Sequence, residues 1–160
     1  MLTNSIKFKN FDKPNKFEKK LKQTLQNLLS NQNEIIKSLG KTYSNNYNIK
    51  KLKKFIGGNE IRLIGIGGSS LGAQSIYNFL GDRVKKKFSF FDNLKKNQKY
   101  NKKKKTNLII SKSGNTLETI SNANILINKK DKNIFITENK SSYLLNLAQT
   151  LKAEVIYHNN

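Results

Sequence analysis

From residue 60 to residue 157 the chain alternates short, unbroken apolar runs with segments of helical spacing, and no other feature constrains its fold as much. The runs are EIRLIGI (60–66), KFSFF (87–91), TNLIIS (106–111), NIFITE (133–138) and AEVIY (153–157). Each is short and rich in β-branched or aromatic residues, which predicts a strand. Between them, residues 70–80, 115–129 and 141–151 place apolar side chains at helical spacing. A strand that is apolar along its whole length needs cover on both faces, and strand–helix–strand crossovers supply it only in a parallel sheet. The expected fold is α/β, a doubly wound, mostly parallel five-stranded sheet of flavodoxin-like order 2-1-3-4-5. The stretch DNLKKNQKYNKKKKT, between the second and third strands, is too short and too charged to predict a helix.

Upstream, Phe17, Leu21, Leu25, Leu28, Leu29, Ile35, Ile36 and Leu39 recur at helical spacing, with Gly40 as a stop, and predict one long amphipathic helix or two. A short helix at NIKKLKKFI ends at Gly57 and Gly58. Two regions follow: a helical segment over 1–58 and the α/β domain over 59–160.

Two turns rich in glycine and serine carry the chemistry. The first, Gly65-Ile66-Gly67-Gly68-Ser69-Ser70-Leu71-Gly72, follows the first strand. Glycines there allow a tight turn and close approach of a ligand to backbone N–H groups, and the helix that follows presents unpaired amides with partial positive charge. The natural guest is an anion. A dinucleotide fingerprint requires a third glycine where Ser70 stands, although Asp92 at the end of the second strand could serve as the ribose-binding acid. A P-loop requires lysine after its last glycine, and Ala73 and Gln74 follow Gly72.

The second turn lies within LIISKSGNTLETISNANIL, residues 108–126. Ser111, Ser113 and Thr116 set three hydroxyls around Gly114 between a strand and a helix. Hydroxyl donors with free helix-end amides suit a phosphate monoester, whose oxygens accept several hydrogen bonds. A cap is the plainer reading of part of this turn: Asn115 and Glu118 have the spacing of a capping box. Capping leaves Ser111 and Ser113 unexplained, because both precede the helix. In the order 2-1-3-4-5 the first and third strands are neighbours, so both turns border the switch-point crevice where such sheets bind ligands.

These motifs resemble the glucose-6-phosphate isomerase family, whose halves are sugar isomerase (SIS) domains. GIGGSSLGA is similar to its G-I-G-G-S-x-L-G-P turn, and SKSGNTLET to its S-K-T-x-x-T-x-E-T phosphate loop. The resemblance covers residues 60–160 and implies a SIS domain over 59–160. It implies that Ser111, Lys112, Ser113 and Thr116 hold the sugar phosphate, Lys112 through its backbone, and that Gly68 and Ser69 contact the sugar. Glu118 matches an acidic position with a supporting role, and no catalytic residue is assigned. Three departures stand out: Ser113 replaces threonine, Gly114 is closer to the wider SIS group, and Ala73 replaces proline.

The family reaction interconverts glucose 6-phosphate and fructose 6-phosphate in glycolysis and gluconeogenesis. It opens the ring and moves a proton between C1 and C2 through an enediolate, which requires a base within hydrogen-bond reach and a group to stabilise the oxyanion. The family's base, histidine and lysine lie in a second half that has no counterpart here, so the resemblance implies an N-terminal fragment, inactive alone, of an enzyme that is a homodimer at full length. His158 lies too early to match the family's histidine and reads as structural. A stand-alone SIS domain that senses a phosphosugar without catalysis is the alternative.

Composition narrows the remaining classes. With no cysteine and one histidine, disulfides, thiolate chemistry and a histidine-rich metal site are excluded, and neither metal nor cofactor is expected. The net charge is +21, almost all from lysine, with arginine only at Arg62 and Arg83. The lysine runs 85–87 and 102–105 lack interleaved aromatics, so no specific nucleic-acid partner is expected. The N-terminus has no apolar leader core and no run approaches a membrane span, which predicts a cytoplasmic protein without a membrane partner.

Overall fold

The five apolar runs form five strands: β1 (Glu60–Ile64), β2 (Lys87–Phe91), β3 (Thr106–Ile110), β4 (Lys132–Thr137) and β5 (Glu154–Tyr157). The computed structural model describes residues 18–30, 34–38, 40, 43–44, 47–55, 60–94 and 105–158. Phe17, Leu39, Gly57, Gly58 and Lys102 to Lys104 lie outside the described residues. All the strands are parallel in the order β2-β1-β3-β4-β5, as the alternation of runs predicts.

The chain divides into two compact units, Met1–Ser44 and Asn45–Asn160. The first holds α1 (Glu18–Ser30) and α2 (Glu34–Ser38), both within the predicted helical stretch. Leu21, Leu25, Leu28 and Leu29, the apolar stripe of α1, are 50–67% exposed.

The second unit opens with α3 (Ile49–Leu52) and a 3-10 turn, Lys53–Phe55. Asn48 caps α3, its side-chain oxygen accepting from the N–H groups of Lys50 and Lys51. Helices α4 (Gly68–Phe79), α5 (Leu117–Leu126) and α6 (Tyr143–Thr150) connect the strands. Right-handed crossovers running leftward from β1 and rightward from β3 place α4 on one face and α5 and α6 on the other.

The side chains agree with this layering. Tyr77 of α4 packs on Phe88 and Phe90 of β2, ring centroids 5.0 and 5.9 Å apart. On the opposite face, Ile64, Ile109 and Phe135 meet Ala123 and Leu126 of α5 and Leu144 and Ala148 of α6 in the main core. Burying each of the larger side chains contributes about 1.5–3 kcal/mol, so this seam anchors α5 and α6 to the sheet.

Beneath that core, at the amino ends of the strands, lies a buried polar row. Arg62, Asn107 and Asn133 are in register across β1, β3 and β4. Arg62, only 2% exposed, donates to the carbonyl of Leu126 at the end of α5 and lies 5.8 Å from the centre of the Phe91 ring. Its cation sits where the helix dipole is negative. Asn107 donates to Asp131 (3.1 Å) and Asn133 (2.7 Å). The turn after α5 is closed onto the Asn128 carbonyl by the Asp131 N–H (3.0 Å) and the Asn133 side chain (2.9 Å), and α5 ends at Leu126 rather than at the expected residue 129.

Candidate functional site

Strand β1 leads into the first turn at Gly65, whose N–H donates to the carbonyl of Phe91 (3.1 Å). A β-carbon on Gly65 would lie 2.8 Å from the carbonyl oxygen of Ile110, closer than real contacts allow. The exits of β1 and β3 therefore touch, and glycine is required between them. Gly67, at φ +57, caps α4 in the left-handed region, which starts the helix at Gly68 rather than at the expected residue 70. Ser70, fully buried, turns its hydroxyl back to the Gly67 carbonyl (3.3 Å) and fills the place of the third glycine of a dinucleotide fingerprint. Asp92 accepts a hydrogen bond from Gln74 of α4 (3.0 Å). Gly68 is exposed and Ser69 half-buried at the mouth of the turn.

The second turn is held at both ends. Ser111, 2% exposed, donates its N–H to Ile136 of β4 (3.0 Å). Lys112 accepts at its carbonyl from the Glu138 N–H (3.0 Å) and the Thr137 hydroxyl (3.3 Å). Gly114 adopts φ +68 against Thr137 and Ser142, and its carbonyl accepts from the Leu144 N–H (3.0 Å). Asn115 accepts from the Tyr143 N–H (2.9 Å). The loop 111–116 is thus bolted to the turn between β4 and α6.

Within this frame the hydroxyls form a chain. The Gly114 N–H donates to Ser111 Oγ (3.2 Å), and Ser111 Oγ is 3.0 Å from Thr116 Oγ1. With Ser111 donating onward, the hydrogen of Thr116 is left for a group outside the loop, and each bond polarises the next. Ser113 is exposed, and its oxygen accepts from the Asn115 N–H (3.2 Å), which leaves its hydrogen available.

One expectation needs correction. Asn115 and Glu118 do not form a capping box: the cap is Thr116, one residue later, and no side chain caps α5. Asn115 is occupied by Tyr143, and the first amides of α5 receive no side-chain oxygen from the cap. Glu118 is half-buried in the first turn of α5. The lysine of the loop also behaves differently from a free cation: Lys112 Nζ lies 3.6 Å from Glu138, which pairs with Lys140 at 3.0 Å. The hydrogen bond from Lys140 holds the Glu138 carboxyl below its ordinary range.

The fold brings Ser111, Lys112, Ser113 and Thr116 into one loop beside Gly68 and Ser69. His158 is exposed after β5, at the far edge of the sheet, with its N–H on the Thr137 carbonyl (2.9 Å). Sequence reading missed Asn115, Thr137 and Ser142 as the residues that position the loop. Only Ser142 had a signal, as the cap before Tyr143, where its hydroxyl accepts from the Leu145 N–H (3.3 Å). Among the described residues no cluster of histidine and acidic groups could hold a metal, and no helix is long and apolar enough to cross a membrane.

Comparison with known proteins gives a consistent but partial picture. No family model matches the chain. It is 34% identical over 120 residues to a glucose-6-phosphate isomerase of Borrelia garinii subsp. bavariensis, a match covering 66% of this chain and 22% of that protein. Among solved structures, a hypothetical protein of Thermus thermophilus superposes with a TM-score of 0.63 at 18% identity, over 89% of this chain and 39% of that one. The tagatose-6-phosphate ketose/aldose isomerase of Escherichia coli gives 0.54 at 20% identity, over 69% and 34%. The Vibrio vulnificus NanR protein complexed with ManNAc-6P gives 0.50 at 18% identity, over 69% and 41%. The fold is therefore the α/β fold shared by these proteins, and the chain spans about a fifth of the length of the curated relative.

Proposed function

We propose that the chain carries the sugar-phosphate site of a glucose-6-phosphate isomerase, with the loop 111–116 as its phosphate anchor. The observation that carries this reading is the contact between the exits of β1 and β3, with Gly65 against Ile110, which sets the two ligand-type turns side by side. Ser113 and Thr116 offer hydroxyl hydrogens, Lys112 its backbone, and the uncapped start of α5 its amides, so a phosphate dianion is held without arginine. Gly68 and Ser69 border the sugar. Glu118 stands in a supporting position. In this reading the base that moves the proton between C1 and C2 belongs to the part of the isomerase outside the matched region.

The fold shared with a NanR protein complexed with ManNAc-6P favours a second reading, a phosphosugar sensor without catalysis. Both readings require the same anchor. Isothermal titration of the full chain with glucose 6-phosphate is expected to show binding that Ser113→Ala with Thr116→Ala reduces at least tenfold; unchanged affinity overturns the site. Sequencing the source transcript past the codon for Asn160 then separates the readings. An open frame continuing into a glycine, glycine, arginine segment and a later glutamate and histidine selects the isomerase, and a stop codon leaves the sensor or an isomerase completed by a second chain.

A further inference from the structure

Among the described residues, the lysines of the second unit are segregated. At the carboxyl ends of the strands, around the candidate site, the described cations are Lys112 and Lys140, set against Asp92, Glu118 and Glu138. The amino ends are different. Arg83 and Lys85 to Lys87 precede or begin β2, Lys105 precedes β3, Lys129, Lys130 and Lys132 lead into β4, and Lys152 leads into β5. The 3-10 turn joins the same edge, because Thr106 donates to the Phe55 carbonyl (3.2 Å) and Lys132 to the Lys54 carbonyl (2.6 Å). It adds Lys53 and Lys54, with Lys50 and Lys51 just upstream in α3.

The carboxylates at this edge cancel only part of that charge. Glu60 is taken by Lys105 and Glu154 by Lys54 (2.9 Å), while Asp131 is 8% exposed and accepts from Asn107 and the Asn128 N–H. Asp82 is the remaining described acid there.

Steering of an anionic sugar to the crevice does not account for this placement. The two ends of a five-residue strand are roughly 13 Å apart at about 3.3 Å per residue. That exceeds the screening length of roughly 8 Å at physiological salt, so much of the charge is screened from the candidate site.

The edge also has a shape and an aromatic. A groove of about 300 Å³ runs between the 3-10 turn and the starts of β4 and β5, lined by Lys54, Lys129, Lys132 and Lys152 together with Asp131 and Glu154. At the other end of the edge α4 delivers Phe79, 88% exposed. The N–H groups of Arg83 and Val84 close back on the Leu80 carbonyl (2.8 and 3.0 Å), which keeps Phe79 beside the basic turn.

We propose that the amino-terminal edge of the sheet is a second binding face, for single-stranded nucleic acid held through its phosphate backbone. A linear polyanion can enter a concave basic groove, whereas a flat bilayer cannot. Five strands at about 4.8 Å spacing span roughly 19 Å, room for several consecutive phosphates. Lysine point charges and one accessible arginine, Arg62 being buried, bind phosphates without reading bases. Phe79 offers a face on which any base can stack.

The test is fluorescence anisotropy of the full chain with a labelled oligothymidylate of about 20 nucleotides, titrated at several salt concentrations. Affinity is expected to fall linearly with salt on logarithmic axes, with a slope near −0.7 for each phosphate neutralised. Lys129→Glu with Lys152→Glu, and separately Lys85→Glu with Lys87→Glu, are each expected to weaken binding at least tenfold and flatten the slope. Phe79→Ala weakens binding with the slope kept. Lys140→Glu, at the opposite end, leaves it unchanged, as does saturating glucose 6-phosphate. Absence of binding, an equal loss from Lys140→Glu, competition by the sugar phosphate, or tighter association with phosphatidylserine vesicles than with the oligonucleotide overturns the proposal. None of these outcomes depends on whether the phosphate loop binds sugar.

Discussion

Gly114 and Ser142 are packed so closely that a β-carbon on the glycine would lie 2.2 Å from the serine hydroxyl oxygen and 2.7 Å from its β-carbon. Thr137 Oγ1 stands 2.9 Å from the same point, and the backbone there is left-handed at φ +68. Gly114→Ala therefore combines a clash with backbone strain and is expected to cost about 2–4 kcal/mol. Ser142→Gly in the same chain removes two of the three clashing atoms, so the double variant should lose less than the sum of the single losses. Urea unfolding of the four species measures this coupling, and strict additivity would show that the loop does not depend on the contact.

The same contact explains a departure that the sequence left open. Glycine at 114, where the resembling phosphate loop has another residue, is what the turn between β4 and α6 permits. The alternation of apolar runs and helical segments made the strand order legible, and β2 falls on its predicted residues because Phe88, Phe90 and Phe91 leave no polar ambiguity. Helix ends were less legible. Gly67 and Thr116 are caps whose backbone angles, not residue types, decide where α4 and α5 begin. Least legible were the roles of Arg62 and Asn107, polar residues inside runs that read as apolar strands. Their partners, Leu126 and Asp131, stand 64 and 24 residues away in the chain. The lysine runs 85–87 and 102–105 were legible as runs that precede strands, but only a parallel sheet puts Lys85 to Lys87 and Lys105 on one edge.

Glu60 and Lys105 form a pair at the amino edge that makes stability depend on pH. The hydrogen bond from Lys105 outweighs burial and holds the Glu60 carboxyl below its ordinary value of 4.5, with Ser89 donating as well (3.3 Å). A carboxyl whose folded pKa is depressed stabilises the fold fully above its unfolded value and loses that contribution as pH falls through the folded one. Glu60→Gln should therefore cost about 1 kcal/mol at neutral pH, more than a fully exposed pair because the Lys105 side chain is only 10% exposed. The two proteins should converge below pH 4.5 as Glu60 becomes protonated. Thermal melts from about pH 3 to neutral follow the difference, and a constant gap would assign it to packing instead.

Asn115 tests whether the loop 111–116 is held from outside. Its oxygen accepts from the Tyr143 N–H (2.9 Å) in the first turn of α6, and Asn115→Ala leaves that amide to water at a cost of about 1 kcal/mol. Ser142 still caps α6 through the Leu145 N–H, so the helix itself should persist. Amide exchange is expected to quicken at residues 112–116 and 143 while the amides of β3 stay protected. Uniform loss of protection would instead mark a global destabilisation.

Arg62 is where the amino edge and the core depend on one another. Its guanidinium is buried, donates to the last carbonyl of α5 and packs beside Phe91. Arg62→Ala removes the cation from a helix C-terminus, leaves the Leu126 carbonyl without that donor and opens a cavity where the long aliphatic stem had packed. Together these are expected to cost about 3–5 kcal/mol, a large share of the stability of a domain this size. Arg62→Lys keeps the charge but cannot reproduce the planar contact with Phe91, so it should recover only part of the loss. Arg62→Met separates the two components: it restores volume without charge, and a stability equal to that of the lysine variant would show that packing, not the helix end, is what the arginine supplies.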